Sequence, residues 1–515
     1  MPGLERLAEI LAPYCRGKTD PLSLVIFNVL QWVWGGRQQA TAILGRDGLW
    51  ENVRRSAARV GRDLPVAPPT DNQLDHVRRN AKGIDIGALL AAAFAEVTVE
   101  LVDALGLLPE GPARLHHPNR ANSVYSDGTV FHALSDLYVD PVTGQVVGSR
   151  AAPDGRPRLA KRYAGKPGKR KPRAGAARAR KAAANSMGIP VSVLGVHGGE
   201  RFRSVVLGVG LYFDRNEVGA SLQLLDDALA LYGGRIHAFL YDRLMAGKHA
   251  QAVMRRGVVV HVGMRNVAKN VAGHIKIRDR ALQNALCTSA TPIKRAAFVE
   301  LDEAVHLTPG GECTHRLFAF NGAIVAEPDL SDATERTRFA EVADRDAPGE
   351  SPKLCYTAVE QTDLRSELLP NGTFRFIATY KVPCRHGSFR YQLDLTEDRV
   401  TAKGTQPVAD IVRPIDCTSP GSVVAGYRSD VENVNGDIKQ RLPRHGRSSS
   451  LSPDHFLMDL VGAALLRNAI AWDVHVAQHT TAGKYEAARQ RGAARDADRQ
   501  REAAGAKARV CDTHG

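Results

Sequence analysis

Cysteine is scarce in this chain of 515 residues. Only seven cysteines are present, an odd number, and no two of them are spaced as Cys-x-x-Cys. A small secreted fold held by disulfides needs many paired thiols. The scarcity therefore argues against a disulfide framework and predicts a reducing compartment, which we expect to be the cytoplasm.

Long apolar runs are absent as well. The most apolar stretch, residues 84–108, is interrupted by Glu96, Glu100 and Asp103, so it predicts a buried helix rather than a membrane span. The first residues, Met-Pro-Gly-Leu-Glu-Arg, lack the charged-then-apolar layout of a signal peptide. We therefore expect no membrane partner.

Acidic residues are outnumbered. The chain has 69 Lys and Arg against 55 Asp and Glu, a formal net charge of +14 and a pI near 9.5. Residues 150–181 alone hold thirteen Lys or Arg and one acid, Asp154. Such a balance favours a polyanionic partner, nucleic acid before membrane. The basic segment is either a solvated linker or a tether that neutralises DNA phosphates.

The N-terminal region, residues 1–115, has a helical pattern. An apolar helix is expected over Leu22–Trp34 and another around Trp50. Pro68-Pro69-Thr70 breaks the chain, and Thr70 with Gln73 matches a capping box that starts a new helix. Arginines on the polar faces leave two interpretations open: a helical domain that contacts DNA, or a solvated helical bundle.

Near residue 120 the apolar period changes from that of helices to that of strands. Between residues 123 and 262 the pattern predicts roughly three strands, a helix, a strand, a helix and a strand. A mixed sheet flanked by helices in that order is typical of a ribonuclease H-like fold. The expected strands are 124–131, 138–147, 191–196, 202–213, 235–241 and 258–262, and the last expected helix of this part is 248–254.

Residues 268–415 show short alternating segments instead, and Pro370-Asn371-Gly372 is a strong hairpin signal. We predict a mainly β domain inserted into the α/β core. A helical pattern resumes near Val423, and Ser452-Pro453-Asp454 predicts the start of another helix. The predicted divisions are a helical domain (1–115), the first part of the core (116–267), the β insertion (268–415), core completion (416–480) and a charged tail (481–515).

Two aspartates stand where a metal-dependent nuclease would need them. Phosphodiester cleavage without a covalent intermediate usually takes two divalent ions held by carboxylates. Asp127 lies in a predicted strand and Asp242 ends another. Each also has an ordinary explanation: Asp127-Gly128 could form a hairpin turn, and Asp242 could cap a helix.

Glu432 has a more distinctive setting. Arg428 precedes it by four residues and Lys439 follows it by seven, so a helix would place all three on one face. A metal-binding carboxylate would then lie between two cations suited to phosphates. The alternative is a solvent-exposed Arg–Glu pair, which is common on helices.

These residues resemble the signature of insertion-sequence DDE transposases. The signature combines tyrosine, arginine, glutamate and lysine, here Tyr427, Arg428, Glu432 and Lys439. The resemblance extends over about residues 20–475. Two residues separate tyrosine from arginine in the family, whereas Tyr427 and Arg428 are adjacent.

The resemblance implies a ribonuclease H-like core with a β domain inserted between the second aspartate and the glutamate. It also implies that Asp127, Asp242 and Glu432 bind two Mg²⁺ or Mn²⁺ ions, cut the element's ends and join them to target DNA. Tyr427, Arg428 and Lys439 would contact DNA. The expected partner is double-stranded DNA, the assembly on it a homodimer, and the setting a bacterial nucleoid.

Other interpretations remain open at this stage. A ribonuclease H-like nuclease or resolvase would cut without joining, and a transposase-derived DNA-binding protein would have lost catalysis. Cys355, Cys384, His386 and Cys417 could bind zinc, although buried free cysteines are the simpler interpretation. Residues 116–119, His-His-Pro-Asn, resemble a His-Asn nuclease motif only faintly, and we expect a loop there.

Overall fold

The computed structural model describes most of the chain outside the basic segment, parts of the insertion and the tail. The described residues are 3–17, 19–46, 48–139, 142, 146–149, 186–199, 204–212, 216–242, 244–245, 247–262, 293–294, 299–320, 322–327, 353–354, 357–401, 404–415, 423–424, 426–427, 434, 438 and 453–479.

Six helices form the N-terminal region, as the sequence predicts. Thr70 starts the fifth helix: its hydroxyl accepts from the Gln73 amide, and the Gln73 side chain accepts from the Thr70 amide. The predicted capping box is therefore confirmed. The helices are α1 (Leu4–Leu11), α2 (Pro21–Leu30), α3 (Arg37–Leu44), α4 (Leu49–Ala58), α5 (Asp71–Asn80) and α6 (Ile86–Ala104).

A mixed sheet follows, with four strands rather than three before the first helix and then the predicted helix, strand, helix and strand. Its strands are β1 (Ser123–Val139), β2 (Val146–Ser149), β3 (Ser186–His197), β4 (Ser204–Leu211), β5 (Ala238–Tyr241) and β6 (Val259–Val262), with α7 (Glu217–Tyr232) and α8 (Lys248–Met254) between strands. The order across the sheet is β4-β3-β1-β5-β6. β1, β3 and β4 pair antiparallel, whereas β1, β5 and β6 pair parallel.

Several strand bounds differ from the sequence prediction. β3 begins at Ser186 rather than at residue 191, and the strand predicted over 138–147 falls partly at the end of β1 and partly in β2. β1 continues to Val139 instead of ending at residue 131, and β2 pairs with its far end, off the main path of the sheet. β5 begins at Ala238 rather than at residue 235, because Gly233–Arg235 forms a single 3₁₀ turn after α7.

Further small β sheets occupy residues 293–407, which confirms the β character predicted there. Residues Pro370 to Gly372 form the expected hairpin, with Gly372 at φ 80°. Gly322, at φ 88°, lies between the paired strands that end at Phe320 and begin at Ala323. The elements are β7 (Ile293–Lys294), β8 (Val299–Thr308), β9 (Gly311–Phe320), β10 (Ala323–Ala326), β11 (Lys353–Leu354), β12 (Thr357–Ala358), β13 (Glu360–Leu368), β14 (Phe374–Val382), β15 (Phe389–Asp394), β16 (Asp398–Thr401), β17 (Gly404–Pro407) and α9 (Val408–Ile411).

The β region is tied to α8. The Gln251 side chain donates to the carbonyls of Thr396 and Glu397 and to the Asp398 carboxylate. The Phe374 amide at the start of β14 donates to the carbonyl of Arg255, just past α8. The insertion therefore rests on the helix that follows Asp242.

A long last helix, α10 (Pro453–His479), packs against α2, α6 and β4. The Asn468 amide donates to the Val206 carbonyl and accepts from the Val206 amide, so it fastens α10 to β4. At the other end, the buried carboxylate of Asp459 lies 2.5 Å from the Arg78 guanidinium of α5. α10 thus joins the N-terminal helices to the sheet.

No helix among the described residues is both long and apolar enough to cross a membrane. The stretch that contains Glu96, Glu100 and Asp103 is α6, which packs against α1, α10 and β4. Its apolar residues therefore belong to the protein core, as the sequence predicts.

Candidate active site

Asp127 lies in β1, and Asp242 directly follows β5, the neighbouring parallel strand. The register of β1 and β5 pairs Val124 with Phe239 and Tyr125 with Leu240. Continued by two residues, it sets Asp127 level with Asp242. Because adjacent strands lie about 4.8 Å apart, the two aspartates are side by side where β5 ends.

Asp242 turns the chain away from the sheet. Its Oδ1 accepts from the Leu244 amide at 2.7 Å, an Asx-type turn that leads towards α8. The other parallel strand does not stop at this level, since β1 runs on to Val139. Both aspartates are half-buried, which is the exposure expected of carboxylates that meet a ligand from solvent.

The two faces of the sheet carry different helices at this point. Ser126 bonds to Ser221 of α7, whereas Phe131 packs on Phe456 of α10 with ring centroids 5.3 Å apart. Side chains alternate along a strand, so Asp127 shares the face of Phe131 and not that of Ser126. The residues expected to complete the site, near position 432, precede α10 in the chain.

Four hydroxyls form a buried network behind the aspartates. Ser126, Ser192 and Ser221 are mutually within 2.8–3.2 Å, and Ser221 also lies 3.3 Å from the Tyr241 hydroxyl. All four side chains are buried. A buried polar group needs a partner, so the network specifies how α7 sits on β1, β3 and β5.

Glu217, the first residue of α7, extends this network to the edge of the site. Its Oε1 accepts from the Gly128 amide at 3.1 Å and from the Tyr241 hydroxyl at 2.9 Å. Its Oε2 accepts from the Tyr212 hydroxyl at 3.2 Å. Sequence reasoning missed this residue, because an acidic side chain in the first turn of a helix is ordinary.

The two tyrosines remain protonated donors. Burial raises the pKa of Tyr241 and of Tyr212 well above the ordinary range, and the Glu217 carboxylate raises both further. Asp127 adds to the rise at Tyr212. Each phenol therefore keeps its proton at neutral pH and donates a hydrogen bond to Glu217.

Gly128 does not form a turn. β1 passes straight through Asp127 and Gly128, paired with Val193 and Ser192 of β3, so the hairpin-turn alternative is wrong. A Cβ at position 128 would stand 2.2 Å from the Cδ of Glu217. A side chain at position 128 would have to displace the Glu217 carboxylate, which occupies that space.

Tyr427 is the one signature residue among 427, 428, 432 and 439 that the structure describes. Its ring lies 5.5 Å from the Arg120 guanidinium, which gives a cation–π contact. Arg120 lies three residues before β1 begins and seven residues before Asp127 in the chain. Arg428, Glu432 and Lys439 lie outside the described residues, while Val434 and Ile438 are helical and buried.

A cavity of about 570 Å³ opens beside Tyr427. Its lining includes Asn119, Asn122 and His237, and burial lowers the pKa of His237. Residues 116–119 form the expected loop, and the Asn119 side chain caps the short 3₁₀ turn before β1. The faint nuclease motif therefore has a structural explanation.

Carboxylate oxygens are the donors that Mg²⁺ and Mn²⁺ prefer, so the side chains of Asp127 and Asp242 are chemically suited to such an ion. The register of β1 and β5 also brings the two residues to the same height along the sheet. Where the chain is described, no group of three or more His, Cys, Asp and Glu side chains could hold a metal. The third predicted ligand, Glu432, is not among those residues. Cys384 is a half-buried free thiol, and Cys355 and Cys417, the other thiols of the zinc hypothesis, also lie outside the described part.

Comparisons with known proteins give no family for this chain. No model of a protein family matches it, and no curated protein matches it either. Its function must therefore be argued from the residues and the sheet.

Proposed function

We propose that this protein is a DDE-type DNA transposase with a ribonuclease H-like core. The observation that carries the proposal is that β1, which contains Asp127, pairs parallel with β5, which ends one residue before Asp242. The sheet has the order of elements expected of that core, with two parallel strands following three antiparallel ones. A β region between Asp242 and the signature residues matches the expected insertion.

Asp127, Asp242 and Glu432 would hold two Mg²⁺ or Mn²⁺ ions in this proposal. When bound, such ions lower the pKa of a coordinated water and stabilise charge on the phosphate. The two aspartates would supply hard oxygen ligands at a fixed separation, because the sheet that carries them packs against α7. Arg428 and Lys439 would hold phosphates beside the cut, and Tyr427 would contact the DNA near Arg120.

The substrate is proposed to be double-stranded DNA, first the element's own ends and then a target. The net charge of +14 supports a DNA partner, since phosphate neutralisation supplies most of the affinity. We propose a homodimer as the assembly on DNA and the bacterial nucleoid as its location.

The test is cleavage of a supercoiled plasmid that carries the gene with its natural flanking DNA. Asp127→Asn, Asp242→Asn and Glu432→Gln should each cut at below about one-hundredth of the wild-type rate, since even a residue that only supports a ligand contributes ~10–100-fold. DNA binding in a gel-shift assay should be almost unchanged, because cations supply it.

Asp226→Asn is the matched control, because it neutralises a carboxylate of α7 whose partner is Arg256 on the protein surface. This variant should cut normally. Cutting without joining would favour a nuclease or resolvase, and binding without metal-dependent cutting by the wild type would favour a DNA-binding protein that has lost catalysis. Equal loss of binding and cutting in the three variants would contradict the proposal.

A further inference from the structure

One carboxylate connects the immediate neighbours of both candidate metal-binding aspartates. Glu217 Oε1 accepts from the backbone amide of Gly128, the residue after Asp127. The same oxygen accepts from the hydroxyl of Tyr241, the residue before Asp242. No other side chain among the described residues is shown to bond to both of these neighbours.

The location of this link gives it a mechanical role. The β1–β5 ladder ends at Tyr125 and Leu240, so the two strands have no ladder bond at the level of the aspartates. Glu217 bridges the strands just there, through one backbone amide and one buried side chain. Without the bridge, the separation of Asp127 and Asp242 would depend only on the ladder below them.

We propose that Glu217 is a positioning residue that fixes the separation of Asp127 and Asp242, and with it the affinity of the site for divalent ions. The inference rests on the proposed function, because it takes the aspartates to be metal ligands. It assigns Glu217 a structural task in the site and not a place on the metal.

Two observations separate positioning from metal ligation. The oxygens of Glu217 already accept three hydrogen bonds, from Gly128, Tyr241 and Tyr212. Glu217 also meets β1 at Gly128, on the face that Ser126 shares, whereas alternation places Asp127 on the opposite face. The carboxylate is therefore committed to the strands behind the site.

These contacts predict different outcomes for two substitutions. Glu217→Gln keeps an oxygen that can accept from the Gly128 amide and the Tyr241 hydroxyl, and its amino group can donate to the Tyr212 oxygen. Glu217→Ala removes all three hydrogen bonds. A positioning residue should therefore tolerate glutamine, whereas a metal ligand should not, because it needs the negative charge.

The experiment measures Mn²⁺ binding to the full chain without DNA, by electron paramagnetic resonance of the free ion. Asp127→Asn identifies the binding that belongs to the proposed site. Glu217→Ala should weaken that binding roughly 10-fold to 100-fold, the cost typical of a residue that orients a ligand. Glu217→Gln should bind within about threefold of wild type, well short of that cost.

Asn216→Ala is the matched control for a merely structural effect. Asn216 caps the same end of α7 by accepting from the Gly219 amide, and its cap bond involves neither Gly128 nor Tyr241. This variant should lower the melting temperature yet leave Mn²⁺ affinity unchanged. If it weakens Mn²⁺ binding as much as Glu217→Ala does, the positioning role is wrong.

Hydrogen exchange supplies a second measurement that does not depend on metal. The Gly128 amide should exchange faster in Glu217→Ala than in wild type, with protection kept in Glu217→Gln, because only alanine removes its acceptor. Unchanged protection in Glu217→Ala overturns the inference.

The metal-binding results distinguish the two proposals. Asp127-dependent Mn²⁺ binding that is equal in wild type and Glu217→Ala overturns the positioning role and leaves the proposed function standing. If Glu217→Gln loses as much Mn²⁺ affinity as Glu217→Ala does, Glu217 is a metal ligand, and the positioning role is also overturned. Mn²⁺ affinity that is unchanged in Asp127→Asn overturns the proposed function, and the inference with it.

Discussion

At the scale of single residues, Gly128 is constrained by a neighbour that is remote in sequence. Its backbone lies in an ordinary strand, so conformational freedom does not explain the glycine. The explanation is steric, since the Glu217 carboxylate occupies the volume of a side chain at 128. Gly128 also donates a hydrogen bond from its amide to Glu217. A side chain at position 128 would therefore affect both the packing and this hydrogen bond.

Gly128→Ala should therefore act by displacing Glu217. The free energy of unfolding should fall by about 1.5–3 kcal/mol, the contribution of a hydrogen bond to a charged group. The fall should be measurable as a lower melting temperature. The double variant Gly128→Ala with Glu217→Ala should melt close to Glu217→Ala alone, because contacting residues couple strongly.

Gly210→Ala is the control on the same sheet. A Cβ there would meet Leu224 at 3.7 Å, an ordinary contact, so this variant should melt near wild type. Strict additivity of Gly128→Ala and Glu217→Ala would show that the two positions do not compete for space.

Arg428 and Lys439 carry a prediction from sequence alone. If both share the face of Glu432, Arg428→Ala and Lys439→Ala should reduce cleavage strongly, with little change in melting temperature. Arg428→Lys should restore activity only in part if the contact is bidentate. Normal cleavage in Lys439→Ala would remove the main sequence argument for the family resemblance.

At the scale of elements, the N-terminal helices depend on α10 for a buried charge partner. Arg78 of α5 and Asp459 of α10 have side chains only 2% and 4% exposed. The Gln31 side chain donates to the Asp459 carboxylate and the Trp32 indole donates to the Asp459 carbonyl, while the half-exposed Asp75 lies 3.6 Å from Arg78. Removing one member of a buried pair leaves a charge without compensation.

Asp459→Ala should destabilise the protein by roughly 3–5 kcal/mol. Trp32 fluorescence during urea unfolding can follow it, because the Trp32 indole donates to the Asp459 carbonyl. Glu367→Ala breaks the half-exposed pair with Arg375 and should cost only about 0–1 kcal/mol. Similar midpoints of urea unfolding for the two variants would mean that the buried pair adds no more to stability than the half-exposed pair does.

Local patterns predicted the elements well where period and caps were clear. The capping box of Thr70 with Gln73 and the hairpin through Gly372 both follow from adjacent residues. The position of Asp127 relative to Asp242 along the sheet could not be predicted in this way, because it depends on the register of two strands that are far apart in the chain. Nor could Glu217 or the Arg78–Asp459 pair, whose partners are 89 and 381 residues away.

At the scale of the whole molecule, the excess of positive charge is uneven. Residues 151–181 hold twelve of the thirteen cations of the basic segment. They have no apolar periodicity, so we expect them to add little to a core. Their contribution should instead appear in the dependence of DNA binding on salt.

Replacing residues 151–181 with a Gly/Ser linker of equal length should weaken DNA binding and flatten its salt dependence. Each DNA phosphate that the protein no longer neutralises should reduce the log–log slope by about 0.9. The melting temperature should stay near wild type, which separates weaker phosphate binding from a folding defect. An unchanged slope would make the segment a passive linker.

The Arg78–Asp459 pair also sets an order of events during synthesis. The partners are 381 residues apart, and ribosomes add about 5–20 residues per second. Arg78 therefore leaves the ribosome about 20–75 seconds before its counter-ion exists. A nascent chain that stops before α10 leaves Arg78 with the half-exposed Asp75 of its own helix, 3.6 Å away, and without the buried carboxylate of Asp459.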